Sequence, residues 1–98
     1  MTEEHPEPDE MNLDELREEI ENIDREIVEL IARRTYVAET IAAVKDDRDL
    51  PTTDEKQEER VMERAGDNAE RFDVDANLVK AIFRLLIELN KVEQREKR

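Results

Sequence analysis

Arg34 is a cation set inside an apolar stripe. Its neighbours three and four residues away in either direction are Leu30, Ile31, Val37 and Ala38. In a helix, therefore, no carboxylate of its own element can pair with it. Arg25, with Glu21 and Glu29 four residues away, and Arg33, with Glu29, read instead as solvated surface pairs. Lys45 extends the Arg34 face four residues beyond Ile41, and Arg17 stands near its other end beside Leu16 and Ile20. Spacing alone leaves both of these open: Arg17 also suits a surface pair with Glu21 or Asp14, and Lys45 a frayed helix end near Asp49.

Two amides and two acids join the set. Asn90 and Gln94, four apart, continue the stripe of Val79, Phe83 and Leu86, although a helix decaying toward a polar terminus has the same pattern. Asp54 and Glu58 are also four apart, and Glu58 falls three and four residues before Val61 and Met62. With 29 acidic residues in the chain, a solvated face accounts for that pair equally well. Taken together, three cations, two amides and two acids face an interior that is otherwise aliphatic. Buried cations are unfavourable unless partnered. Cations turned inward while carboxylates abound outside point to a pocket for a small anionic ligand, most simply a dicarboxylate gripped by two arginines.

The elements that must position these residues are helices. Asn12 with Glu15 forms a capping-box signature, with Met11 and Leu16 at the hydrophobic-staple positions. From there Leu13, Leu16, Ile20, Ile23, Ile27, Leu30, Ile31, Val37, Ala38, Ile41 and Val44 recur at helical spacing, without Gly or Pro, over about 33 residues. The segment 46–51, ending in Pro51, breaks the pattern. Thr52, Thr53 and Asp54 then offer caps for a second, short helix expected to run to about Ala65, with Gly66 at its C′ position and 67–74 as a connector. A third helix of medium length starts near Asp75 and carries Leu78, Val79, Ile82, Phe83, Leu86 and Leu89. No stretch alternates as a strand does. The expected class is all-α with three helices, residues 12–98 forming the domain and residues 1–11, including the lone His5, a disordered acidic tail.

Composition limits the rest. In 98 residues, 46% are charged, 37% are hydrophobic and the net charge is −13. A chain this short buries a core that is marginal by itself, and with no Cys and one His neither disulfides nor a metal can support it. Oligomerisation remains. A 33-residue helix is roughly 50 Å long, longer than the roughly 30 to 35 Å diameter of a compact globule of this length, so its stripe needs a second subunit. The acidic excess excludes nucleic acid and anionic membrane as partners. No apolar run reaches the ~18 residues of a membrane span, and the acidic, Pro-interrupted N-terminus is unlike a signal peptide, which gives a cytoplasmic expectation. Eleven Arg but only five Lys under so high a net charge fit a salt-loaded cytoplasm, where a Debye length of about 3 Å screens the carboxylates from one another.

These residues resemble a known family, the all-helical chorismate mutases, over about Leu13 to Gln94. The matching stretches are Leu16-Arg17-Glu18-Glu19-Ile20 with Ile23-Asp24, Ala32-Arg33-Arg34, Ala42-Ala43-Val44-Lys45, Asp54-Glu55-Lys56-Gln57-Glu58, and Phe83-Arg84-Leu85-Leu86-Ile87-Glu88-Leu89-Asn90 ending at Gln94. No second catalytic domain fits in 98 residues, so a monofunctional member is expected, and the composition adds the expectation of a halophilic archaeal source. The resemblance implies an intertwined homodimer in which Arg17 enters the partner's site, while Arg34, Lys45, Asp54, Glu58, Asn90 and Gln94 serve their own.

The implied reaction is the unimolecular rearrangement of chorismate to prephenate in phenylalanine and tyrosine biosynthesis, which needs no cofactor or metal. By the same resemblance Arg17 and Arg34 bind the two carboxylates, Lys45 and Gln94 donate to the ether oxygen, and Glu58 with Asp54 holds the ring hydroxyl. An amide at 94 donates at any pH, where a carboxylic acid would have to be protonated. Asn90 stands where some members have Ser and keeps the hydrogen-bonding capacity. Gln57 stands where many members have Arg, removing a charge and leaving the role of that position open. Two other readings compete: an isochorismate pyruvate-lyase on the same helices, told apart by its products pyruvate and salicylate, and a non-catalytic helical dimerisation module, in which Arg34→Ala would change stability alone.

Overall fold

The computed structural model describes residues 8–48 and 55–96, with side chains described as far as residue 92. Among these the chain is all-α. A 3-10 turn at Pro8–Glu10, inside the segment expected as a tail, precedes α1 (Leu13–Asp47), α2 (Glu55–Arg71) and α3 (Ala76–Glu96). His5 and the rest of residues 1–7 lie outside the described residues, as does Asp54. No helix among the described residues is long and apolar enough to cross a membrane. The chain divides into two compact units, Met1–Arg33 and Arg34–Arg98.

In the first unit α1 starts where its cap predicts. The Asn12 amide N–H donates to Glu15 Oε1 at 2.9 Å, and the Glu15 N–H donates to Asn12 Oδ1 at 2.8 Å. This reciprocal pair satisfies two donors that the first turn cannot satisfy itself. Met11 and Leu16, the staple residues, are both half-buried. Beyond them the stripe lies open, with Leu13, Ile20, Ile23, Ile27 and Leu30 exposed in the single chain.

The second unit is built on α2 packed against α3. Here the structure corrects the expected end of the second helix: α2 runs on through Gly66 to Arg71. A glycine inside a helix costs about 1 kcal/mol, and tertiary packing outweighs it. Ala65, Gly66 and Ala69 are the buried residues of α2, and a Cβ built on Gly66 would lie 2.7 Å from Lys80 Cε. The glycine is therefore a point of close approach and not a cap. The stop falls later, at Asp73, whose φ of 60° is left-handed. Val74 N–H donates to Ala69 O at 2.8 Å and Asp73 N–H to Glu70 O at 3.2 Å, the bond pair of a Schellman motif. Two residues on, Asp75 caps α3 through Oδ1, which accepts from the Leu78 N–H at 2.9 Å.

The expected α3 face divides in two. Val79, Phe83, Leu86 and Asn90 are half-buried, whereas Leu78, Ile82, Leu85, Leu89 and Val92 form an exposed second stripe. Within the same unit, α1 buries part of the face that carries Arg34, Ala38, Ala42 and Lys45, and leaves Val37, Ile41 and Val44 exposed.

Replacing Asn12 by Ala removes the bond that its side chain accepts from the Glu15 N–H and leaves the one that the backbone N–H of residue 12 donates to Glu15 Oε1. The expected loss is about 1 kcal/mol, a fall in Tm of roughly 4 to 8 °C for a domain of this size. Thermal melts followed by circular dichroism at matched protein concentration read it directly.

Candidate active site

Arg34 is half-buried and reaches α3. Its Nη1 donates to Asn90 Oδ1 at 2.9 Å, and its guanidinium carbon stands 5.6 Å from the centroid of the Phe83 ring. Asn90 in turn donates from Nδ2 to Thr35 Oγ1 at 3.3 Å. The amide is thus oriented: its oxygen faces the cation because its NH2 group is engaged by the neighbouring hydroxyl. The partner that α3 offers to Arg34 is neutral, so the guanidinium keeps its full charge.

Burial lowers the Arg34 pKa, and repulsion from the Arg64 guanidinium of α2 lowers it further. The sign follows. The charged form is less favourable in the folded chain, and since an arginine remains protonated across the accessible pH range, this penalty is present at every working pH. A cation held at such a penalty against an amide and a ring face can receive an anion.

The other expected residues stand as follows in their own elements. Lys45 is half-buried on the Arg34 face of α1, three turns further along. Glu58 of α2 is half-buried, and its Oε2 lies 3.2 Å from Lys91 Nζ of α3. Gln57, the preceding residue, is exposed and accepts from Arg60 Nη1 at 3.3 Å on its own helix. Arg17 is exposed in the first unit. Asp54 lies outside the described residues; Gln94 lies within α3, with its side chain outside them. The structure therefore brings Arg34 and Asn90 together, as the spacing of polar residues on apolar faces anticipates. Phe83, Thr35, Arg64 and Lys91 are partners that reading missed. Phe83 looked like core because it lies on the stripe, and Arg64 and Lys91 have ordinary surface neighbours in their own helices.

The fold and the cluster define an all-helical domain with a cationic, partly desolvated site. Comparison with known proteins gives the family. Residues 16–95 match the family model of chorismate mutase type II. The chain is 34% identical over 84 residues to the chorismate mutase of Methanocaldococcus jannaschii, an alignment covering 86% of this chain and 85% of that protein. It is also 29% identical over 89 residues to the bifunctional chorismate mutase/prephenate dehydratase of Buchnera aphidicola subsp. Schizaphis graminum, covering 91% of this chain and 23% of that much longer one. The chain belongs to the chorismate mutase type II family.

Because burial disfavours the charge of Arg34, an unbranched apolar residue that keeps most of its stem should weaken the fold little. Arg34→Met is expected to melt within about 2 °C of the parent or above it, whereas Arg34→Ala, which also deletes the packed stem, should melt lower. A thermal melt of both variants checks the sign.

Proposed function

We propose that the chain converts chorismate to prephenate by holding the substrate folded and stabilising the charge that develops as its ether bond breaks. The observation that carries this reading is Arg34, desolvated and held by Asn90 and Phe83 on the face of α1 that also bears Lys45. Family membership supplies the reaction. A unimolecular rearrangement requires no nucleophile, so positioned donors and cations suffice. In this reading Arg34 and Arg17 bind the two carboxylates, and Lys45 and Gln94 donate to the ether oxygen as its negative charge grows. Glu58, with Asp54, accepts from the ring hydroxyl, and Asn90 holds Arg34 in place.

In this reading Arg17 serves the site of the other chain of a homodimer, the role that the resemblance to the family implies for it. The large apolar residues left exposed in the single chain support a homodimer. The stripes on α1 and α3 are the apolar faces available for it. The acidic surface suits a salt-rich cytoplasm.

Purified protein should consume chorismate, followed by loss of its absorbance, with prephenate as product, and should do so at least as fast at molar salt as at low salt. No turnover of chorismate, or release of pyruvate and salicylate when isochorismate is supplied in its place, would refute the reading. Lys45→Ala should lose on the order of 10² to 10³ in kcat as a transition-state donor is deleted; a change confined to KM would remove it from that role.

The shared site has its own test. Arg17→Ala and Arg34→Ala should each be nearly inactive, yet an equimolar mixture refolded together should recover about a quarter of parental activity, since half the dimers are mixed and each carries one intact site. No recovery would show that the two arginines serve the same chain.

A further inference from the structure

Two consecutive residues of α3, Asn90 and Lys91, reach different helices. Asn90 accepts from the cation Arg34 of α1, and Lys91 pairs with the anion Glu58 of α2. From this juxtaposition we propose that Lys91 is a positioning residue of the site, holding the Glu58 carboxylate for the substrate hydroxyl and cancelling its repulsion of a dianionic substrate. The inference rests on the placement of Glu58 in the site proposed above.

The geometry assigns the two carboxylate oxygens different tasks. Lys91 Nζ lies 3.2 Å from Glu58 Oε2, which leaves Oε1 to accept a hydroxyl proton. Glu88, one turn back on α3, lies 3.9 Å from the same ammonium through Oε1 and is the more exposed of the two carboxylates. Lys91 is therefore held between an acid of its own helix and the closer acid of α2. A half-exposed ion pair contributes little to stability as such, so the fold gives no strong reason for a lysine here. Its effect is on the neighbour. A glutamate side chain has rotamer freedom that must be lost before it can hold a ligand, and the cross-helix pair restricts it beforehand.

Charge gives the second argument. Glu58 is a negative group placed to meet a substrate with two carboxylates, and like charges at that range repel unless a cation stands beside one of them. The residue preceding Glu58 is Gln57, which is neutral and accepts from Arg60. The compensating charge therefore comes from α3, across the helix pair.

The test is the steady-state kinetics of Lys91→Met, Lys91→Arg, Glu58→Gln and the double variant Lys91→Met/Glu58→Gln on chorismate, with thermal melts alongside. Lys91→Met should raise KM about tenfold with kcat changed less than about threefold, and Lys91→Arg should return KM to within about threefold of the parent. In the Glu58→Gln background, Lys91→Met should add little further loss, because the lysine acts through the glutamate. Additive effects of the two substitutions, or a lowered Tm with parental KM in Lys91→Met, would overturn the proposal. A Glu58→Gln variant with parental KM would overturn it together with the placement of Glu58. A raised KM in that variant beside a parental KM in Lys91→Met would remove Lys91 alone.

Discussion

A guanidinium taken partly out of water in the middle of an apolar stripe is the constraint around which the second unit is organised. Arg34 has no acid on its own helix to turn to, and burial makes its charge less favourable. The arrangement meets this with groups that stabilise the charge without neutralising it: an amide oxygen on α3 and the face of Phe83. A carboxylate in place of Asn90 would hold Arg34 more tightly and cancel the attraction for an anionic ligand. Thr35 completes the device by accepting from the NH2 end of the amide, which leaves the oxygen turned toward the guanidinium.

Local signals were legible wherever a few neighbouring residues decide the outcome. The Asn12/Glu15 box, the Asp75 cap, the three-helix class and the inward setting of Arg34 all follow from side chains within four residues of one another. What failed depended on packing between elements. Gly66 has the look of a helix end, and only the approach of Lys80 from α3 shows why the helix continues through it. Lys91 reads as a surface lysine because its partner Glu58 is 33 positions away, and the register of α2 against α3 that pairs them is not encoded in the periodicity of either. The single stripe read on α3 is two stripes for the same reason.

Acidity and sparse apolar content mark many chains that never fold, and here they coexist with long, well-capped helices. Ala65 and Ala69 are the buried hydrophobic residues among the described residues, too small a core to oppose the conformational entropy of the ordered chain. Most of the large aliphatic residues lie instead on the open faces of α1 and α3. Helix formation and burial are thus assigned to different scales in this protein. Capping and periodicity settle the first within a chain, and the second is left to whatever covers those faces.

The crossing of α2 and α3 at Gly66 changes how the composition should be counted. The group facing that glycine is the end of the Lys80 side chain: a Cβ there would lie 2.7 Å from Cε, 3.4 Å from Nζ and 3.9 Å from Cδ. A residue scored as charged thus brings methylenes as well as its ammonium to the packing of the two helices. In a chain this rich in long polar side chains, hydropathy summed by residue type undercounts the apolar material available. The accounting that matters is by carbon atom, and by that measure a sequence on the border of disorder has more with which to build an interior than its letters suggest.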